Sequence, residues 1–229
     1  MSKINNGQLY EIQLNAKLVE DGLSPVGFKA AGNGSGPDAA IMYDDKEIKI
    51  EIKDRIYADF GQSTLKYNME TLRWELTGRK TAAALSMQEM LRSYGVDEFA
   101  NKVWGAYGAP RKTSVPRKQF TREDAEYDMV TFQSHFMDIP QEVMHNYYRT
   151  KDTYYIQVGG YGFYHLHSDP LNLGTPQFDA KMQTRIRRKS GGNSKGIGNY
   201  RYSTALMPAT APSVVSPYNI EYSTAFLKK

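Results

Sequence analysis

Residues 37–53 read Pro-Asp-Ala-Ala-Ile-Met-Tyr-Asp-Asp-Lys-Glu-Ile-Lys-Ile-Glu-Ile-Lys, and this stretch constrains the fold more than any other in the chain. Two apolar runs, Ala39 to Tyr43 and Ile48 to Ile52, flank Asp44 and Asp45. Aspartate tolerates the positive φ that a tight hairpin turn needs. With Asp44-Asp45 as a two-residue loop, Ile41 faces Ile48 and Ala39 faces Ile50, so apolar side chains meet on one face. The same register sets Asp38 across from Glu51. Side chains alternate along a strand, so Glu51 and Lys53 share a face. A slip of one residue would separate Asp38 from Glu51 and bury the wrong set.

Directly opposed residues have Cβ atoms about 4.5–5.5 Å apart, close enough for two carboxylates to share one divalent ion. Glu47-Ile48-Lys49 offers a second Glu-x-Lys frame, but Glu47 faces Met42 near the turn, far from Asp38. On Glu51 and Lys53 alone, a solvated strand face accounts for the alternation. Asp38, following a proline at the strand mouth, tips the reading towards a site built from Asp38, Glu51 and Lys53.

Around the hairpin, residues 6–21 are predicted as a helix with Leu9, Ile12, Ala16 and Val19 on its buried stripe. Pro25 to Ala30 is predicted as a first strand, and Asn33 to Gly36 as a glycine loop. Phe60 to Leu76 suits a strand pair or a helix equally well. Thr81 to Tyr94 is helical, and Asp97 is a candidate N-cap for a second helix. Gly108 to Phe120 is predicted as a linker. Asp138 caps a short helix starting at Ile139-Pro140. From Thr153 onward two hairpins are expected, Tyr154–Val158 with Phe163–Leu166 and Met182–Lys189 with Tyr200–Leu206.

The net charge is only +4, but its distribution is uneven. Between Glu98 and Glu123 there is no acid, while Lys102, Arg111, Lys112, Arg117, Lys118 and Arg122 are basic. Between Asp179 and Glu221 there is again no acid, and that stretch holds Lys181, Arg185, Arg187, Arg188, Lys189, Lys195 and Arg201. Two acid-free basic tracts suggest a polyanion face. A β-ribbon carrying Arg185 and Arg187 on one face, with Arg201 on the partner strand, suits nucleic-acid contact.

Pro37-Asp38 followed by Glu51-Ile52-Lys53 resembles the PD-(D/E)XK, or restriction-endonuclease-like, nuclease superfamily, over about residues 6–70. The resemblance implies an α+β fold: a core of helix, antiparallel three-strand β-meander and helices, with a β-rich basic C-terminal region. The expected divisions are a nuclease-like core over 1–107, a basic linker over 108–137, and a β-rich region over 138–229 that completes the core or contacts DNA. The resemblance also implies catalytic roles for Asp38, Glu51 and Lys53, with Glu11 from the first helix and Gln62 as further candidates. Gln62 and Tyr67 together resemble a glutamine and tyrosine that some members carry after the lysine, but their spacing is one residue longer than the usual pattern, and Tyr67 matches less well than Gln62. The implied metal ligands are Asp38, Glu51, the Ile52 carbonyl and Glu11. The implied ion is Mg²⁺, with Mn²⁺ as a substitute, since a hard oxygen donor set suits it better than zinc. The DNA-contact candidates are Arg111, Lys112, Arg117 and Lys118 in the first tract and Arg185, Arg187, Arg188, Lys189, Lys195 and Arg201 in the second. The implied activity is a metal-dependent DNA endonuclease of restriction, homing or resolvase type, acting on duplex or branched DNA as a homodimer. A DNA exonuclease and a non-catalytic nucleic-acid-binding or assembly module remain open.

Other chemistries are weaker. The chain has no cysteine, which excludes disulfides and thiolate sites. His165 and His167 share a strand face but lack a third zinc ligand nearby. Gly191 to Lys195 lacks phosphate-loop spacing, so no nucleotide cofactor is expected. The amino terminus lacks a secretory pattern and no apolar run approaches a membrane span, so a soluble cytoplasmic protein is expected.

Overall fold

In the computed structural model, residues 4–28, 37–190 and 196–228 are described. The predicted glycine loop at Asn33–Gly36, and Lys195, lie outside them. The chain forms two compact units that interleave along the sequence. The first is drawn from Met1–Ala58, Met144–Lys181 and Pro208–Lys229, the second from Asp59–Val143 and Met182–Met207. Divisions near 107 and 137 therefore do not match how the chain packs. Residues 59–107 of the expected core belong to the second unit, and the expected linker carries helices Arg111–Ser114 and Arg122–Thr131.

The first unit contains α1 (Asn6–Glu20), β1 (Ala39–Tyr43), β2 (Lys46–Lys53), β6 (Thr153–Val158) and β7 (Gly162–His165). Most of helix α6 (Gln141–Thr150) also belongs to it. Its sheet runs β1-β2-β6-β7. The hairpin register is the expected one: Ala39 pairs with Ile50 and Ile41 with Ile48. Asp44 and Asp45 have φ of 46° and 59°, the two positive values of a type I′ turn. Glycine adopts this region more easily than aspartate. Asp45→Gly is therefore expected to stabilise the protein by about 0.5–1 kcal/mol, read as a higher denaturant midpoint at unchanged m-value.

Among the described residues the three-strand meander is not present. β2 has β6 as its second neighbour, and the two run parallel. The next strand in sequence, β3 (Gly61–Asn68), joins the other sheet. Nor do residues 25–28 form a strand; they make a turn. The mixed α+β class holds, but the sheet closes through a long crossover.

Helix α1 begins at a capping box, Asn5 with Gln8. Its buried face is not the predicted stripe. Leu14 and Leu18 are buried, whereas Leu9, Ile12 and Val19 are 48%, 53% and 64% exposed. Leu14 and Leu18 pack with Ile41, Ile48, Ile50, Ile52, Tyr155 and Phe163 in one core. This sets the rotation of α1 and turns Glu11 towards the hairpin mouth.

The second unit holds a five-stranded sheet ordered β4-β3-β9-β8-β5. Its further strands are β4 (Arg73–Thr77), β5 (His135–Ile139), β8 (Met182–Ser190) and β9 (Tyr200–Pro208). β3 and β4 form an antiparallel hairpin, which settles the Phe60–Leu76 ambiguity. Helices α2 (Ala82–Ser93), α3 (Val96–Trp104), α4 (Arg111–Ser114) and α5 (Arg122–Thr131) complete the unit. α3 is capped by Gly95 rather than Asp97, which sits in its first turn. The core is aromatic: Trp74 lies 5.0 Å from Trp104, 5.5 Å from Phe132 and 4.9 Å from Tyr202, ring centre to ring centre. No helix of the described residues is long and apolar enough to cross a membrane.

Candidate active site

The hairpin brings Asp38 and Glu51 together as the register requires. Asp38 Oδ2 accepts a hydrogen bond from the Ile52 N–H at 3.0 Å, which locks the carboxylate against β2. Lys53 Nζ lies 2.5 Å from Glu51 Oε1 and 3.7 Å from Asp38 Oδ2. Glu51 is only 4% exposed. Its other oxygen, Oε2, is 2.8 Å from Lys151 Nζ. Lys151 follows α6 and approaches the rings of Tyr147 and Tyr148 at 5.5 and 5.1 Å. Lys151 and Tyr148 carry no signal in the sequence. Their place depends on the parallel pairing of β2 with β6, which sets Glu51 beside Ile156 and Lys49 beside Thr153.

The end of β2 is held by a glycine. Gly159 N–H donates to the Lys53 carbonyl at 2.8 Å. A Cβ on Gly159 would come within 2.3 Å of the Asp54 carbonyl oxygen. A side chain there would therefore push the backbone immediately after Lys53.

Glu11 reaches the same locus from α1. Asn15, one turn further along, donates to the Glu11 carbonyl at 2.9 Å and to the Asp38 carbonyl at 2.8 Å. This pins the helix to the strand mouth. Asn15 is a third residue that sequence reasoning missed.

The charges at the locus are coupled. Burial raises the Glu11 pKa to about 7, and the Asp38, Glu51 and Asp54 carboxylates add to the rise against Lys53. Burial and the facing Glu51 carboxylate also raise Asp38. Glu51 moves the other way: burial opposes ionisation, but the Lys53 and Lys151 ammonium groups outweigh it and hold the pKa near 2. Burial disfavours the charged form of Lys53, yet Glu51 and Asp38 raise its pKa above the ordinary value. The two carboxylates thus hold Lys53 in its ammonium form. With Glu11 ionised, three carboxylates (Glu11, Asp38, Glu51) face two ammonium groups (Lys53, Lys151).

Among the described residues no group of three His, Cys, Asp or Glu side chains is arranged to hold a metal ion. The donor chemistry nonetheless fits a hard cation in part. No described hydrogen bond or ion pair engages Asp38 Oδ1 or the Glu11 carboxylate, whereas both Glu51 oxygens are ion-paired. An incoming cation would therefore compete with two lysines for Glu51.

The remaining sequence candidates lie elsewhere. Gln62, on β3 in the second unit, donates to Asp59 at 3.0 Å and accepts from Lys189 at 2.6 Å. Tyr67 is buried in the aromatic core. Arg185 and Arg187 do share a strand face, and both pair with Asp59. Arg111 pairs with Asp124 at 3.3 Å. Lys112 and Arg188 lie against the Tyr200 ring at 4.7 and 3.9 Å. Arg117, Lys118 and Arg201 are exposed. His165 Nδ1 lies 2.8 Å from the Thr175 carbonyl oxygen, and His167 packs on Tyr154 at 5.1 Å.

No protein-family model matches the chain, and no curated protein matches it. Among solved structures the chain is similar to HhaI endonuclease in complex with DNA, at 10% identity and a TM-score of 0.45, over 91% of this chain and 88% of that one.

Proposed function

We propose that this protein is a metal-dependent DNA endonuclease whose active site is Asp38, Glu51, Lys53 and Glu11. One observation carries the reading: a buried carboxylate, Glu51, meets the half-buried Asp38 carboxylate and Lys53 ammonium at a hairpin mouth. Burying ionised groups is costly unless they are paired, and strongly shifted groups cluster at functional sites. Asp38, Glu11 and, in competition with the lysines, Glu51 would hold Mg²⁺ or Mn²⁺. The ion supplies a Lewis acid that acidifies water and offsets charge on the phosphoryl oxygens. Lys53 orients the attacking water and stabilises negative charge gained in the transition state. It does so as a fixed cation. Glu11, whose pKa is raised to about 7 in the metal-free site, would be held ionised as a ligand once the ion binds.

Cutting both strands of a duplex calls for two such sites, so a homodimer is expected. The competing reading is a non-catalytic binding module, favoured by the fact that both Glu51 oxygens already have lysine partners. Covalently closed plasmid DNA with Mg²⁺ separates the readings. An endonuclease nicks or linearises it, an exonuclease acts only after the circle is opened, and a binding module leaves both forms intact.

Glu11 also makes metal binding pH-dependent. Its folded pKa is raised, so the stability it contributes is full below its ordinary 4.5 and is lost as pH rises through about 7. A cation that binds the ionised form reverses the loss. Mg²⁺ is expected to raise the unfolding temperature more at pH 8 than at pH 6. In Glu11→Gln that pH difference should vanish, whereas an unchanged difference would assign it to another group.

A further inference from the structure

The two acid-free basic tracts are far apart in sequence, but within the second unit they meet at one tyrosine. Tyr200, at the start of β9, is buried to 4% exposure. Lys112 from the first tract lies 4.7 Å from its ring centre, and Arg188 from the second lies 3.9 Å from it. The junction is built. Phe120 packs 6.3 Å from Tyr200, and Gly198 makes room for it, since a Cβ there would sit 3.1 Å from the Phe120 ring. Gly198 also has a φ of +81°, which suits glycine.

The nearest acid is Asp128, fully buried. It is already occupied, accepting from the Tyr200 hydroxyl at 2.5 Å and from the Arg111 and Lys112 N–H groups at 2.8 and 3.1 Å. Asp128 therefore positions the basic tract rather than neutralising it. Among the described residues, Lys112, Arg117, Arg188 and Arg201 form no ion pair with any carboxylate. Arg188 Nε is buried without a hydrogen-bond partner. Burial, then Arg188, and further on Arg117 and Arg201, depress the proton affinity of Lys112 against Asp128. Lys112 and Arg188, set on one ring with no carboxylate ion-paired to either among the described residues, suit an anionic ligand. Arg185 and Arg187, by contrast, already share Asp59.

We propose that Lys112 and Arg188, brought together on the Tyr200 ring, form a binding site for the phosphodiester backbone of duplex DNA. The Tyr200 ring is covered by its own cations, so it offers no stacking platform for unpaired bases of the kind single-strand binders use. Backbone contact of this type is independent of sequence and falls with salt. The choice of DNA rests on the endonuclease reading; the binding itself does not require cleavage.

The test is anisotropy of a short labelled duplex across a salt series in EDTA, with wild type and Lys112→Gln/Arg188→Gln. The double variant is expected to weaken binding roughly 10-fold or more and to lower the slope of log K against log salt by about 2, whatever the duplex sequence. The charge-keeping Lys112→Arg/Arg188→Lys variant should bind like wild type. A charge-matched control in the first tract, Lys102→Gln/Arg122→Gln, should retain the wild-type slope. Wild-type affinity and slope in the Gln double variant would overturn the proposal, as would a loss confined to single-stranded DNA. Binding through the cluster without plasmid cleavage would leave this site standing and remove the endonuclease reading. Cleavage with binding indifferent to the cluster would do the reverse.

Discussion

Glu51→Gln is expected to destabilise the protein by about 3–5 kcal/mol, the scale for removing one partner of a buried ion pair. The carboxylate lies between Lys53 at 2.5 Å and Lys151 at 2.8 Å, and it is 4% exposed. Glutamine fills the same space but leaves two half-buried ammonium groups without the carboxylate between them. The pH dependence should change with it. In wild type the folded pKa of Glu51 is depressed to about 2, so its stability is present above its ordinary 4.5 and is lost as pH falls through 2. Lys53 is raised, so its contribution is full below its ordinary 10.5 and is lost only as pH rises through a still higher value. Wild type should therefore be flat in these two groups between about pH 5 and 10. Glu51→Gln removes the acid limb and, with it, most of the lysine's gain. Urea melts at pH 3, 7 and 9.5 measure both effects. A variant as stable as wild type at pH 7 would mean that the two lysines relax into solvent.

Lys53→Met is expected to lower the single-turnover cleavage rate by about 10²–10³-fold, the scale for losing one preorganised charge-stabilising group. Stability should fall less than in Glu51→Gln, because Lys151 still pairs with Glu51. The pH profile distinguishes the lysine's role. A fixed cation contributes no limb near neutrality, so the wild-type limb near pH 7 should persist in Lys53→Met and disappear in Glu11→Gln. The opposite pattern would make Lys53 the proton acceptor.

The hairpin was legible because its determinants are local. A two-residue Asp44-Asp45 loop and a period of two fix every pair from Ala39 with Ile50 to Tyr43 with Lys46. Asp38 opposite Glu51 follows from that register. The lysine on the far side of Glu51 was not legible, because Lys151 is 100 residues away and arrives through a parallel pairing. Helix α1 was found, but its buried face was misread. Leu9, Ile12, Ala16 and Val19 make the cleaner apolar stripe, yet Leu14 and Leu18 meet the sheet. The meander failed because residues 25–28, the described part of its predicted first strand, make a turn, while the free edge of β2 takes β6 in parallel. Composition alone marked the two basic tracts as one electrostatic class. The structure sorts them: Arg185, Arg187 and Arg111 have carboxylate partners, whereas Lys112 and Arg188 rest on Tyr200.

The most direct test of the central claim is the conversion of supercoiled plasmid to open-circular and linear forms as Mg²⁺ is titrated, with wild type beside Asp38→Asn. Asparagine keeps the size of the side chain and can still accept from the Ile52 N–H, so the fold should be retained. The expected result is Mg²⁺-dependent cleavage by wild type, abolished by EDTA and reduced by at least about 10²-fold in Asp38→Asn at an unchanged unfolding midpoint. Equal rates for the two proteins, or no cleavage by wild type in Mg²⁺ or Mn²⁺, would contradict it.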